Sequence, residues 1–181
     1  EEVTRQYKIS REDQDKFAYE SHMKAIEAQK AGKFKEEIHP IATEEVFVDE
    51  NGKRKMRSMV VDTDEGPRPE TSLVALGKLK PVFAVGGSVT AGNSSPTTDG
   101  AAFTIVMSGT MIKKLNLKPI ARMMSYAVAG VDPRIMGIGP VAAVPKALER
   151  AGLKLNDIDL IELNEAFAAQ SLAVARTLEL D

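Results

Sequence analysis

Apolar and polar positions alternate in two regimes along this chain. Near the start, Ser10 to Asp13 (SRED) has the form of a capping box: a hydroxyl accepts from early backbone N–H groups and an acid reaches back. Glu12, Asp13 and Asp15 suit the positive end of a helix dipole. Phe17, Ser21, Ala25 and Ala28 recur at helical spacing, and Gly32 can stop the helix at C′. The pattern predicts a helix over 11–31 with a narrow apolar stripe and a solvated charged face. Residues 45–61 predict a hairpin, in which VFVD and RSMVV flank Glu50-Asn51-Gly52-Lys53, a turn sequence that tolerates positive φ. The following DTDEGPRP (62–69) is a loop. Its acids lack EF-hand spacing and are read as a solvated turn. A short helix over 72–79 has Ser72 near its cap.

Beyond residue 85 the pattern changes. VGGSVTAGNSSPTTDG is low in bulky side chains, and AAFTIVMS (101–108) is a continuous apolar run of the kind that forms a strand buried on both faces. A helix (109–116), a strand (120–128), a Gly/Pro-rich loop (130–140), a helix (141–151), a strand (158–163) and a helix (165–178) are predicted to follow. Alternating strands and helices make this half α/β, after a mixed, loop-rich first hundred residues. Met107, Met111, Met123, Met124 and Met136 are read as core filling.

Composition narrows the chemistry. Lys plus Arg is 24 and Asp plus Glu is 26 in 181 residues, a formal charge of −2 that excludes the basic field of a non-specific nucleic-acid binder. No apolar run reaches the ~18 residues of a membrane span, and no N-terminal segment reads as a signal peptide. There is no cysteine, which removes disulfides, cysteine-based zinc sites and a thiol nucleophile from these residues. His22 on the first helix and His39 before Pro40 are read as surface residues. The start at Glu1 and the apolar stretch Ser171–Leu180 running into Asp181 give the expectation of a fragment.

Four motifs carry candidate chemistry. Gly137-Ile138-Gly139-Pro140-Val141-Ala142 fits G-x-G-x-x-A, with Glu162 farther along. No strand leads directly into it, however, and Pro140 lacks one of the N–H groups a pyrophosphate would need. Val89 to Pro96 is a loop of small residues: Ser94 or Ser95 can meet an amide or phosphate there, or the loop can be a structural turn. Asn93-Ser94-Ser95 also has the form of a glycosylation sequon. Asn164-Glu165 lies where LIEL passes into AFAAQ, at the carboxyl end of a predicted strand. An Asn there can stabilise an oxyanion, and an Asn N-cap followed by Glu accounts for the same residues. Lys53, Arg54, Lys55 and Arg57 form a basic cluster, solvated or facing a phosphate.

Taken in order, SREDQD, VTAGNSSPTTDGAA, GVDPRIMGIGPVAAVPKALERAG and LIELNEAFAAQ closely resemble the thiolases over essentially the whole chain. DTDEGPRP before TSLVALGKLKPVF is more similar to the degradative 3-ketoacyl-CoA type. The resemblance implies an α/β fold, part of a layered αβαβα thiolase-like architecture. Residues 1–95 would be the later part of an inserted loop domain, 96–118 the closing strand and helix of the N-terminal half, and 119–181 the opening of the C-terminal domain. It implies CoA-dependent cleavage of 3-ketoacyl-CoA, or the reverse Claisen condensation, with coenzyme A or acyl-CoA as substrate and no permanently bound cofactor or metal. The family's two cysteines and its G-H-P histidine have no counterpart here. By the same resemblance Asn164 holds the oxyanion-site water, and Glu165 supports it from behind. Ser95 lies near the pantetheine, and Arg68, Leu79, Phe83, Ala91, Met136, Ala166 and Phe167 line the CoA or acyl tunnel. A homodimer or homotetramer, cytoplasmic if bacterial, is implied for the full-length enzyme, with this piece alone inactive. The alternative is a non-catalytic CoA-binding or interaction module.

Overall fold

The computed structural model describes residues 1–180. A short helix α1 (Glu2–Gln6) leads into α2 (Arg11–Lys30). Ser10 caps α2, its hydroxyl accepting from the Asp13 N–H at 3.0 Å. The reciprocal half of the capping box is not made, because the Asp13 carboxylate accepts instead from Arg176 at 2.7 Å. Ser10→Ala is expected to cost about 1 kcal/mol, the usual worth of an N-cap hydroxyl, read as a lower thermal midpoint by circular dichroism.

The buried face of α2 is not the predicted stripe. Gln14, Asp15, Ala18 and Ile26 are buried, while Phe17, Ser21, Ala25 and Ala28 stand half-buried at its edge. Asp15 and the amide nitrogen of Gln14 sit at the centre of this face because they are hydrogen-bonded there, which the sequence pattern does not record.

The hairpin pairs β1 (Ile41–Val48) with β2 (Arg54–Val61), antiparallel, in a register that puts Val48 opposite Arg54. Its turn is a loop from Asp49 to Lys53, held by the Asp49 carboxylate accepting from the Asn51 and Lys53 N–H groups, each at 2.9 Å. Only Gly52 takes positive φ. The Arg57 guanidinium lies 5.6 Å from the Phe47 ring centroid and pairs with Glu45. The basic cluster is exposed, with Lys55 bridged to Asp49 at 3.0 Å.

α3 (Leu73–Gly77) starts at the Ser72 cap and α4 (Gly109–Lys114) at Ser108. A 3-10 segment (Pro133–Ile138) runs straight into α5 (Gly139–Ala151), and Leu155–Asp157 forms a second. The last helix, α6 (Ala168–Leu178), packs against α1, α2 and α5. Its Ala168, Ala169, Ala173 and Val174 are buried, together with Ile9, Ala18, Ile26, Leu76 and Val89 elsewhere in the chain.

The strands predicted over 101–108, 120–128 and 158–163 are not formed. The hairpin is the only sheet among the described residues. Phe103, Ile105, Ile120, Val128 and Leu160 are exposed on backbone that belongs to no helix or strand. A strand exists only where a neighbour supplies ladder partners, and these segments have none. Met123, Met124 and Met136 are likewise exposed rather than core filling. Among the described residues, no helix is long and apolar enough to cross a membrane.

Candidate functional site

The site is assembled around Asn93. Its side chain is 2% exposed and makes three hydrogen bonds. Oδ1 accepts from the Thr90 N–H at 2.8 Å, and Nδ2 donates to Asp15 at 3.0 Å and to the Ser88 carbonyl at 3.2 Å. Asp15 in turn accepts from Arg11 Nε at 2.8 Å, and Arg11 Nη2 donates to the Leu76 and Leu79 carbonyls at 2.7 and 2.9 Å. One chain of polar groups, buried at Asn93 and Asp15 and open to solvent at Arg11, thus ties α2 to the 88–95 loop and to the end of α3. Asn93 is inaccessible to glycosylation, so the sequon reading falls.

From this node the loop docks on the segment before α6. Ala168 N–H donates to the Asn93 carbonyl and Ser95 N–H to the Ala166 carbonyl, both at 3.0 Å, forming an isolated antiparallel bridge between Ser94 and Phe167. Phe83 meets Phe167 edge to face with centroids 6.0 Å apart.

Two hollows flank this seam. A largely apolar cavity of about 1070 Å³ lies against α5 and α6, and Phe83, Met136, Asn164, Ala166 and Phe167 line it. A cleft of about 1100 Å³ lies between α2, the 65–71 loop, α3 and the 91–98 loop, and Arg68, Leu79, Ala91, Ser95 and Glu165 line it. The ten candidate residues from the sequence divide between these two spaces.

α6 begins at Phe167 as N-cap, with no side-chain cap bond. The capping account of Asn164 and Glu165 therefore fails. Asn164 is exposed, with a side chain that makes no hydrogen bond among the described residues, and Glu165 accepts from the Ser21 hydroxyl on α2. The Gly137 segment is not a nucleotide loop. It runs through the 3-10 turn, and a Cβ on Gly137 would stand 2.8 Å from Gln170 Cγ, so glycine there serves close packing on α6. No cluster of three or more His, Cys, Asp or Glu side chains among the described residues is placed to hold a metal ion.

Two features escaped the sequence. The Arg11–Asp15 pair stands at i,i+4 spacing but was read as solvated; that spacing is the only local signal of it. His22 is half-buried in the cleft rather than on the surface, and its Nδ1 accepts from the Arg68 N–H at 3.2 Å. Burial pushes the imidazole below its ordinary pKa, the Arg68 charge adds to this, and Glu165 opposes it.

Residues 1–110 match the family model "Thiolase, N-terminal domain" and residues 117–181 match "Thiolase, C-terminal domain". The 3-ketoacyl-CoA thiolase of Bacillus subtilis is 49% identical over all 181 residues, and an acetyl-CoA acetyltransferase of Pseudomonas aeruginosa is 51% identical over the same length. The chain covers 46% and 44% of those proteins, about half the length of the curated relatives it matches. Among solved structures, the Bacillus anthracis acetyl-CoA acetyltransferase superposes with a TM-score of 0.91 at 45% identity, covering 99% of this chain and 43% of that one. Human mitochondrial 3-ketoacyl-CoA thiolase does so at 0.85 and 44%, with the same coverage.

Proposed function

The chain belongs to the thiolase family, and from that premise we propose that it forms the groove-bearing part of a CoA-dependent acyltransferase acting on 3-ketoacyl-CoA thioesters. The observation that carries this reading is the seam between Ser94 and Phe167, which brings the two hollows and their ten candidate residues side by side. In the proposed reaction a cysteine thiolate from outside these residues attacks the 3-keto carbon. The C2–C3 bond breaks, so that acetyl-CoA leaves as its enolate and takes up a proton. The acyl group left on the cysteine passes to the thiol of a second CoA, whose proton is lost. Asn164 and a water it orients stabilise the negative oxygen. Ser95 would meet the pantetheine amides. Arg68 would meet the nucleotide phosphates, since its guanidinium makes no hydrogen bond or ion pair among the described residues. The apolar cavity would take the acyl end.

The same proposal divides the chain at 1–95, 96–118 and 119–181, and the apolar segments 101–108, 120–128 and 158–163 would take ladder partners in a full-length enzyme. Degradation of fatty acyl chains, a homodimer or homotetramer, and, for a bacterial source, a cytoplasmic place complete it.

The absence of cysteine favours one second reading, a non-catalytic module that retains the CoA groove. Both readings make the same first prediction. The purified 181-residue chain is expected to show no thiolysis of acetoacetyl-CoA by a spectrophotometric assay, and turnover by this chain alone would refute the proposed source of the nucleophile. Co-expression with the cysteine-bearing remainder of a thiolase separates the readings. Restored thiolysis supports the enzyme part; CoA binding without turnover supports the module.

A further inference from the structure

The 62–71 loop carries Arg68 along the cleft, and two hydrogen bonds tie it to α2 among the described residues. Gln29 Nε2 donates to the Asp64 carbonyl at 2.9 Å, and the Arg68 N–H donates to His22 Nδ1 at 3.2 Å. The second bond holds the residue whose guanidinium is uncommitted. Nδ1 can accept only when it carries no proton, so this bond requires the neutral imidazole with its hydrogen on Nε2. Protonation would place an N–H against an N–H and a cation beside Arg68.

We propose that neutral His22 is a positioning residue, a latch on the Arg68 backbone that sets the guanidinium at the cleft, so that the grip on the phosphate-bearing end of a CoA molecule loosens as the imidazole takes up a proton. This rests on the CoA reading of the cleft. The charged groups that bear on the latch are few. Arg68 opposes the protonated form, and Glu165, held by Ser21 of α2, favours it. Glu65 and Glu70 line the same cleft from the loop, while the 91–98 loop presents only uncharged residues to it.

The sign follows from burial and Arg68, which hold the imidazole below its ordinary value. The folded protein therefore keeps His22 neutral at neutral pH. The latch is complete above the unfolded value of about 6.5 and is lost as pH falls through the lower folded one.

The replacement His22→Asn tests this directly, because an Asn Oδ1 can accept from the Arg68 N–H without titrating. Calorimetric titration of the wild-type chain, His22→Asn and His22→Phe with CoA is made at pH about 7.5 and at a second pH below the folded His22 value, which proton NMR of the imidazole locates. At the higher pH, His22→Asn is expected to bind within about twofold of wild type and His22→Phe about fivefold more weakly, the worth of one net hydrogen bond. At the lower pH, wild type is expected to lose about fivefold more affinity than His22→Asn, the same bond now lost through protonation. Titration of the CoA phosphates is common to both proteins and cancels in that comparison.

Identical pH dependence in wild type and His22→Asn would overturn the latch while leaving the CoA reading intact. No CoA binding by wild type at either pH would overturn both. If circular dichroism shows His22→Phe unfolded, the wild-type and His22→Asn comparison still decides.

Discussion

Asn93→Ala is expected to destabilise the chain more than any other truncation of a polar side chain. The substitution leaves the Thr90 N–H, the Ser88 carbonyl and one Asp15 oxygen without the partner that each has now. An orphaned buried polar group costs about 1–3 kcal/mol, more when it is charged, so a total of about 3–5 kcal/mol follows after partial relaxation. Against a typical domain stability of about 5–15 kcal/mol, that is enough to leave a large unfolded population. The neighbouring Ser94→Ala supplies the scale. It removes one hydrogen bond, from the Ser94 hydroxyl to the Thr90 carbonyl at 2.7 Å, and should cost about 1 kcal/mol. Urea unfolding followed by far-ultraviolet circular dichroism measures both. Equal midpoints for the two variants would show that the Asn93 network is not what holds the loop.

That network also marks where the sequence stopped being informative. The starts of α2 and α3 were legible because they are local: Ser10 and Ser72 each precede a helix and each accepts from a backbone N–H three residues on. The hairpin was legible for the same reason, through Asp49 to Lys53. Periodicity alone, however, treats a charge as solvated. It could not show that Asp15 finds Asn93 across 78 positions of sequence, or that Arg11 reaches the carbonyls at the end of α3. His22 was missed likewise, because its partner is a backbone N–H that no side-chain pattern reveals. The three unformed strands fail for the opposite reason. Their apolar runs are real, but burial on two faces requires neighbours, and Ile105 and Ile120 have none among the described residues. The candidate site was legible through the ordered motifs that resemble a family. Its division between two hollows was not, since that depends on the bridge between Ser94 and Phe167.

Asn164→Ala carries the largest effect expected on chemistry. Asn164 lines the cavity next to Ala166 and Phe167, and α6 does not use it as a cap. Its amide is therefore available to donate toward an oxygen that becomes negative only as the carbon–carbon bond breaks or forms. On the proposed oxyanion reading such a donor contributes mainly to the transition state, and removal of an oxyanion donor typically lowers kcat by about 10²–10³, or about 2.7–4 kcal/mol. In a cysteine-containing thiolase built to include this segment, as the proposed function requires, Asn164→Ala should lower kcat for acetoacetyl-CoA thiolysis by that factor, with KM within a few-fold of the unsubstituted enzyme. Glu165→Gln gives the contrast. The glutamine oxygen still accepts from Ser21, so kcat should stay within about threefold, which separates a group at the reacting oxygen from one that braces the segment. Steady-state kinetics on the two variants decides the point. A loss confined to KM for Asn164→Ala would move this residue from the oxyanion to substrate binding, and an unchanged kcat would remove it from the reaction.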